Sequence, residues 1–432
     1  MTLVFNEDDH QKQGHPSIHL FRLNQHLEDA SQKHSVLLWL KKGFLPDGFP
    51  TSVTADYVDF QIWDSVQALC SYVRGMICSN AILTGIGVGK QATSPLAAVF
   101  QFFVRDLAGM CGGVLFAFIQ GSQLDAYAKQ WRLFADIFNN VGYALDLASP
   151  IFPDQFLLLA CLGSLARAVT GVAGGATRAA LTQHFSKADN AGDISAKEGS
   201  QETATTLIGM ILGMIFLHAA SDSSMAVWAV FLILTALHIY ANVRAVRALQ
   251  LTSLNCSRMD VLLKHSSACK MDSNGTALTP QDVARIEPLL PPAVMEMFKW
   301  LLCIHLWRPT KRLIMGARLS ALPLAGTLAR MDSDTDVKFI IALDKSGCEA
   351  AVVLRRDAKQ EDVLKAYVQG YLLLHFSAPV EQRHRQVEEW MEEDWPAFRG
   401  MLERSGWSVN KTALCSSSWR GAWGDALHAH HN

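Results

Sequence analysis

The stretch Thr203-Ala-Thr-Thr-Leu-Ile-Gly-Met-Ile-Leu-Gly-Met-Ile-Phe-Leu-His-Ala-Ala220 and its successor Ser224-Met-Ala-Val-Trp-Ala-Val-Phe-Leu-Ile-Leu-Thr-Ala-Leu-His-Ile-Tyr-Ala-Asn-Val243 contain no Asp, Glu, Lys or Arg. The hydrocarbon core of a bilayer takes about 20 helical residues to cross. Two such segments with three residues between them predict a membrane-spanning helical hairpin. Working toward the N-terminus, apolar stretches of similar length run over 65–88, 93–119, 133–149 and 155–181, the third being the shortest. The expected fold is therefore an all-α polytopic membrane domain of about six transmembrane helices.

Charge supports the same division. Residues 64–243 hold 20 of the 78 charged residues, although they make up 180 of the 432 positions. Half the chain is hydrophobic and its mean hydropathy is positive. A net charge of −2 and a pI near 6.7 leave no global field for nucleic acid, which is not an expected partner. The nine cysteines are scattered, without a CxxC pair, and read as reduced thiols rather than a disulfide framework or zinc site. The N-terminal segment lacks a secretory signal, and Glu7, Asp8 and Asp9 stand where a transit peptide avoids acids, so no leader is expected.

Basic residues gather in cytoplasmic loops. With both termini cytoplasmic, the inner loops hold Lys129, Arg132, Lys187 and Lys197, and the tail begins with Arg244, Arg247, Arg258 and Lys264; the outer loops hold only Lys90. An even number of spans leaves this pattern. Lipid gives helices no hydrophobic reason to associate, so close packing depends on small residues. Gly109 and Gly113, Gly171 and Gly175, and Gly209 and Gly213 each place two glycines one turn apart.

After Val243 the chain turns polar. The region 244–335, with turn and breaker residues, reads as a linker with short helices. Two strands are expected at 337–343 and 349–354, helices at 360–376 and 380–404, and a returning strand at 409–416. The domain plan is an N-terminal cytoplasmic segment (1–63), a six-helix membrane domain (64–243), the linker (244–335) and a small cytoplasmic α/β domain (336–432). Trp390, Trp395, Trp407, Trp419 and Trp423 read as core or interface anchors. His428, His430 and His431 read as a frayed end rather than a metal site.

Several segments together carry a resemblance: Phe44-Leu-Pro-Asp-Gly-Phe-Pro-Thr-Ser-Val53, Tyr57 with Gln61-Ile-Trp-Asp64, Arg105-Asp106, Asp125 with Lys129-Gln-Trp-Arg132 and Asp136, Gly171-Val-Ala-Gly-Gly-Ala-Thr-Arg178, and Ser195-Ala-Lys-Glu-Gly-Ser-Gln-Glu-Thr203. Over roughly residues 40–300 the chain resembles the root UV-B sensitive family. The resemblance implies a membrane protein tied in plants to ultraviolet-B responses, vitamin B6 homeostasis, auxin transport and early seedling development. It also implies pairing with a family member, as a homodimer or heterodimer, and no established catalytic activity. A plastid location known for some members does not carry over, given the N-terminal composition.

No nucleophile with a paired base, metal-ligand cluster or nucleotide motif is legible, so neither an enzyme, a metal site nor a cofactor is expected. Arg105 and Asp106 fall in the middle of the second span, and Asp136, Asp146, Arg167 and Arg178 lie in or near others. An ionisable residue at that depth costs at least ~2.5 kcal/mol, so it should face a partner or a watery cavity. Asp136 and Asn140, four apart, could line a polar path. The Gly121-to-Arg132 loop, with Asp125, Lys129 and Arg132, resembles the signature loop of major facilitator transporters, and six spans match half of that fold; the second glycine and paired basic residues of that signature are missing. Gly171, Gly174, Gly175 and Thr177 read either as a helix contact or as an anion cradle. Lys197, Glu198, Gln201 and Glu202 form a polar entry to the fifth span, either a solvated loop or a gate or partner contact. The expected function is transporter-like, for a small polar or anionic solute in a lipid bilayer; the alternative is a non-transporting scaffold that recruits a soluble partner through its C-terminal domain.

Overall fold

The computed structural model describes residues 39–87, 94–220, 223–265, 278–301, 311–318, 337–414 and 419–423. The tail histidines lie outside the described residues. The bundle contains α1 (Tyr57–Ile86), α2 (Pro95–Leu124), α3 (Ala128–Ala148), α4 (Phe156–Phe185), α5 (Ala191–Ala220) and α6 (Ser224–Ala248). Five of these, all but α3, are long and apolar enough to cross a membrane. The 21 residues of α3 include Lys129, Arg132, Asp136 and Asp146. That charge explains why the expected third span falls short of the apolar criterion, and α3 is packed against α1, α4 and α6.

The lipid-like exterior is carried by α2 and α5, where Phe100, Phe103, Met110 and Phe118, and Leu207, Ile211 and Ile215, are exposed. Two layers result. In one, α2 and α3 pack on α4; in the other, α5 and α6 pack on α1; α3 joins them, while α4 and α5 touch little. The glycines divide by layer. A Cβ on Gly109 would reach Ser164 at 2.6 Å, and on Gly113 it would meet Ala168 and Val172 at 3.6 Å. On Gly209 it would strike Tyr72 Cβ at 2.6 Å and on Gly213 the Met76 side chain at 2.8 Å. These glycines permit helix contact, and a larger side chain at Gly213 would overpack it by about 1–3 kcal/mol. Gly171, Gly174 and Gly175 differ: a Cβ there meets nothing within 4 Å. The expected helix contact at this motif is not made within the chain, because no described helix reaches it.

The Phe44-to-Val53 segment folds over the helix ends. Val53 bridges to Ser186, and Val53, Tyr57 and Phe60 pack with Leu181, Phe185, Ile194 and Leu249. At the other end, α1 stops at Gly87, whose φ of +88° is a left-handed cap that glycine adopts without a Cβ penalty.

Beyond α6 come β1 (Ser253–Asn255), α7 (Cys256–His265), α8 (Pro280–Ile286), α9 (Pro292–Leu301), β2 (Arg312–Met315), β3 (Phe339–Leu343), β4 (Glu349–Leu354), α10 (Gln360–His375), α11 (Val380–Glu393), α12 (Trp395–Arg404) and β5 (Ser408–Ala413). The expected helix over 380–404 is two helices, since Pro396 opens a new one at its first turn. The returning strand does not join the hairpin: β5 runs parallel to β1, while β4 lies between antiparallel β3 and parallel β2. Leu254, Met259, Leu262 and Val283 share a core with Val352, Leu364, Leu372, Phe398 and Trp407, so residues from 253 onward pack with the tail. Of the five C-terminal tryptophans, Trp390, Trp395, Trp407 and Trp423 are buried and Trp419 is exposed.

Candidate functional site

Between α1, α3, α4 and α5 lies a cavity of about 250 Å³, on the side where the C-terminal domain docks. Every wall carries polar groups: Gln61, Asp64 and Tyr72 from α1, Arg132, Asp136, Asn139 and Tyr143 from α3, Arg178 from α4, and Glu198, Gln201, Glu202 and Thr205 from α5. Helical spacing produces the α5 wall, because 198, 201, 202 and 205 recur every three or four residues and share one face.

Arg132 Nη2 donates to Asp64 Oδ1 at 2.6 Å, and Arg178 Nη2 donates to Glu202 Oε2 at 2.5 Å across the gap between α4 and α5. Glu198 accepts from Gln61 Nε2 at 2.9 Å and Thr182 Oγ1 at 3.1 Å, and Tyr72 OH donates to Glu202 Oε1 at 3.1 Å. Asp136 Oδ2 and Gln201 Oε1 are buried and accept no hydrogen bond from the described residues. The lining holds four carboxylates against two guanidiniums, and its free atoms are acceptors. Such a surface suits a ligand that donates hydrogen bonds or carries positive charge. By helical spacing, Gly171, Gly174 and Gly175 lie on the face of α4 that carries Arg178, where an added Cβ would meet no described atom within 4 Å.

A second cavity of about 610 Å³ lies toward the opposite end of the bundle, lined by Gly75, Cys78 and Ser79 of α1, Phe102 and Arg105 of α2, Asp146 of α3, Arg167 of α4, and Thr206 and Met210 of α5. Asp146 pairs with Arg167, and a Cβ at Gly163 would collide with Asp146. Tyr72 and Tyr143 line both cavities.

Of the residues singled out in the sequence, Arg132, Asp136, Arg178, Glu198, Gln201 and Glu202 meet in the first cavity. Arg105 belongs to the second; Asp106, 3.9 Å from it, points outward and is 58% exposed. Asn140 is buried against Arg74 rather than in the path, hydrogen-bonded to its guanidinium. Lys197 caps Lys42 O at 2.6 Å and sits 3.7 Å from Asp193. The transporter-loop latch is corrected: Asp125 is exposed, while Arg132 is taken by Asp64 and Lys129 by Glu287 at 3.3 Å. The anion-cradle alternative also fails, because Gly171 to Thr177 lie within the continuous helix α4 and Thr177 Oγ1 donates back to Ala173 O at 2.7 Å. Helical N–H groups there are already used.

Sequence reasoning missed Asp64, Tyr72, Arg74, Asn139 and Tyr143. Arg74 carried a usable signal, being the lone cation inside the first span, and His238 and Asn242 carried another, being polar and four apart in the sixth. Arg74 is fully enclosed, with Nη1 3.1 Å from Thr235 Oγ1 and its guanidinium 5.5 Å from the Tyr143 ring. Among the described residues no cluster of three metal-ligating side chains occurs.

Comparison with known proteins assigns both parts of the chain. The family described as "Vitamin B6 photo-protection and homoeostasis domain" matches residues 30–268, and "Root UVB sensitive protein, C-terminal" matches 302–389. The chain is 42% identical to protein root UVB sensitive 3 of Arabidopsis thaliana over 390 residues, covering 88% of this chain and 86% of that one. It is 43% identical to RUS family member 1 of Dictyostelium discoideum over 274 residues, 62% of this chain and 51% of the relative. It is 24% identical to root UVB sensitive 2, chloroplastic, of Arabidopsis thaliana over 88% of this chain and 84% of the relative. No solved structure matches.

Proposed function

Because the chain belongs to the root UVB sensitive family, we propose that it moves a small polar solute across a membrane and that the cavity around Asp136 is where the solute binds. The observation that carries this reading is a polar hollow within the bundle, lined by Asp136 and Gln201, whose Oδ2 and Oε1 are buried without a hydrogen-bond donor among the described residues. The carboxylate excess favours a neutral or cationic solute over the anionic one. The family's description supports vitamin B6 compounds as the first solutes to test. In this reading α3 completes six spans, both termini lie on the cytoplasmic side, and its charges face the cavity rather than lipid.

Pairing with a family member has one physical support. Asp106 sits near the middle of α2 and faces outward, where a carboxylate against lipid costs roughly 2.5 kcal/mol. A partner helix would relieve it. The scaffold alternative draws on the docking of the C-terminal domain through buried charges, described below.

Titration of the purified protein in detergent with pyridoxine and pyridoxamine tests the site. Saturable binding is expected, and Asp136→Asn should weaken it by tenfold or more, equivalent to about 1.4 kcal/mol. Binding unaffected by Asp136→Asn in a folded protein would place the solute elsewhere.

A further inference from the structure

The two cavities share two lining side chains, Tyr72 and Tyr143. Tyr72 stands midway along the 30-residue helix α1, so this shared layer falls near the middle of the bundle's depth. Tyr143 reaches it because position 75 has no side chain: a Cβ on Gly75 would lie 3.3 Å from the Tyr143 hydroxyl. Tyr72 is held by Glu202, and Glu202 is itself held by Arg178 from the facing helix, so the closing ring is linked to an ion pair that spans α4 and α5.

We propose that the two cavities are halves of a single path through the bundle, closed at Tyr72 and Tyr143, and that the path passes a small organic cation or protonated base. The proposal rests on the transporter reading above. The class follows from charge and from the closure itself. In the first cavity carboxylates outnumber guanidiniums two to one, and Asp136 keeps a free oxygen. In the second, Arg167 pairs with the one lining carboxylate, Asp146, and Arg105 is the further cation, so the preference for a cation is set in the first cavity and at the layer. Tyr72 and Tyr143 border both cavities, and the Tyr143 ring already holds the Arg74 guanidinium 5.5 Å from its centroid, as a phenol ring holds a cation. Separation of Arg178 from Glu202 would release Tyr72 and open the layer.

Opening the layer by mutation turns a gated path into a leak. The full chain carrying Tyr72→Ala and Tyr143→Ala is reconstituted into phosphatidylcholine vesicles loaded with labelled tetramethylammonium or labelled methanesulfonate. Tetramethylammonium should escape at least ten times faster than through wild-type protein, and at least ten times faster than methanesulfonate through the same variant. Gly75→Leu, which only displaces Tyr143, should give a smaller leak with the same preference and serves if the double variant does not fold. Folded variants that leak no faster than wild type, or that favour methanesulfonate, overturn the proposal. Wild-type uptake of pyridoxine without a variant leak would refute the path and leave the solute reading standing; a variant leak without wild-type uptake would do the reverse.

Discussion

Replacing Glu287 with Gln is expected to loosen the C-terminal domain from the helical bundle at a cost of roughly 3–5 kcal/mol, because it strands two buried cations. Glu287 lies just beyond α8 and is 1% exposed; Lys129 from the start of α3 and Arg258 from α7, each 2% exposed, approach it at 3.3 and 3.1 Å. Gln130 Nε2 adds a hydrogen bond at 2.8 Å, and Lys129 Nζ also donates to Leu249 O at 3.1 Å. Burial pushes the Glu287 carboxyl up, but Arg258 and Lys129 outweigh it and hold the group below the usual carboxylate range. A carboxylate with a lowered folded pKa stabilises fully above its unfolded pKa and loses that contribution as pH falls through the folded value. Acidification below the ordinary glutamate range should therefore mimic the substitution. Limited proteolysis of residues beyond 250, with thermal unfolding of the same samples, checks both effects. Unchanged cleavage and melting for Glu287→Gln would show that the charges do not hold the domain.

The second large effect is expected inside the bundle. Arg167→Gln leaves Asp146, 3% exposed, without its ion-pair partner, again a loss of roughly 3–5 kcal/mol, and the folded protein recovered from membranes should fall sharply. Asp146→Asn alone should lose a comparable amount by stranding the arginine. Adding Asp146→Asn to Arg167→Gln removes both charges and should restore most of the lost abundance. If the double variant is no better than the singles, the pair does not act as a compensating unit.

The long apolar helices were legible because charge depletion over 180 residues has few explanations other than a bilayer, and the β3–β4 hairpin because two short apolar runs joined by Asp344-Lys-Ser-Gly347 are a local signal. Partner choice was not legible. Arg132 and Lys129 lie in one turn, yet they pair with Asp64 and Glu287, 68 and 158 residues away in sequence. No spacing rule reaches that far. Glycine spacing proved ambiguous for a related reason: Gly209 and Gly213 admit a neighbouring helix, while Gly171 and Gly175 at the same interval face no described atom within 4 Å. The motif is identical, and only the facing element decides its meaning. Tyr72 and Tyr143 were overlooked because an aromatic residue in an apolar span reads as ordinary packing until two cavities are seen to meet at it. The β1–β5 pairing was hidden because a parallel pair needs a crossover, here more than 150 residues long.

Uptake of radiolabelled pyridoxine and pyridoxamine by vesicles containing the purified wild-type chain, beside vesicles containing Asp136→Asn, decides whether these solutes cross through the bundle. Saturable accumulation or exchange is expected with wild-type protein, and a reduction of at least tenfold with the variant. Uptake no greater than in protein-free vesicles, from protein shown to be folded and correctly reconstituted, would contradict a transport role for these solutes.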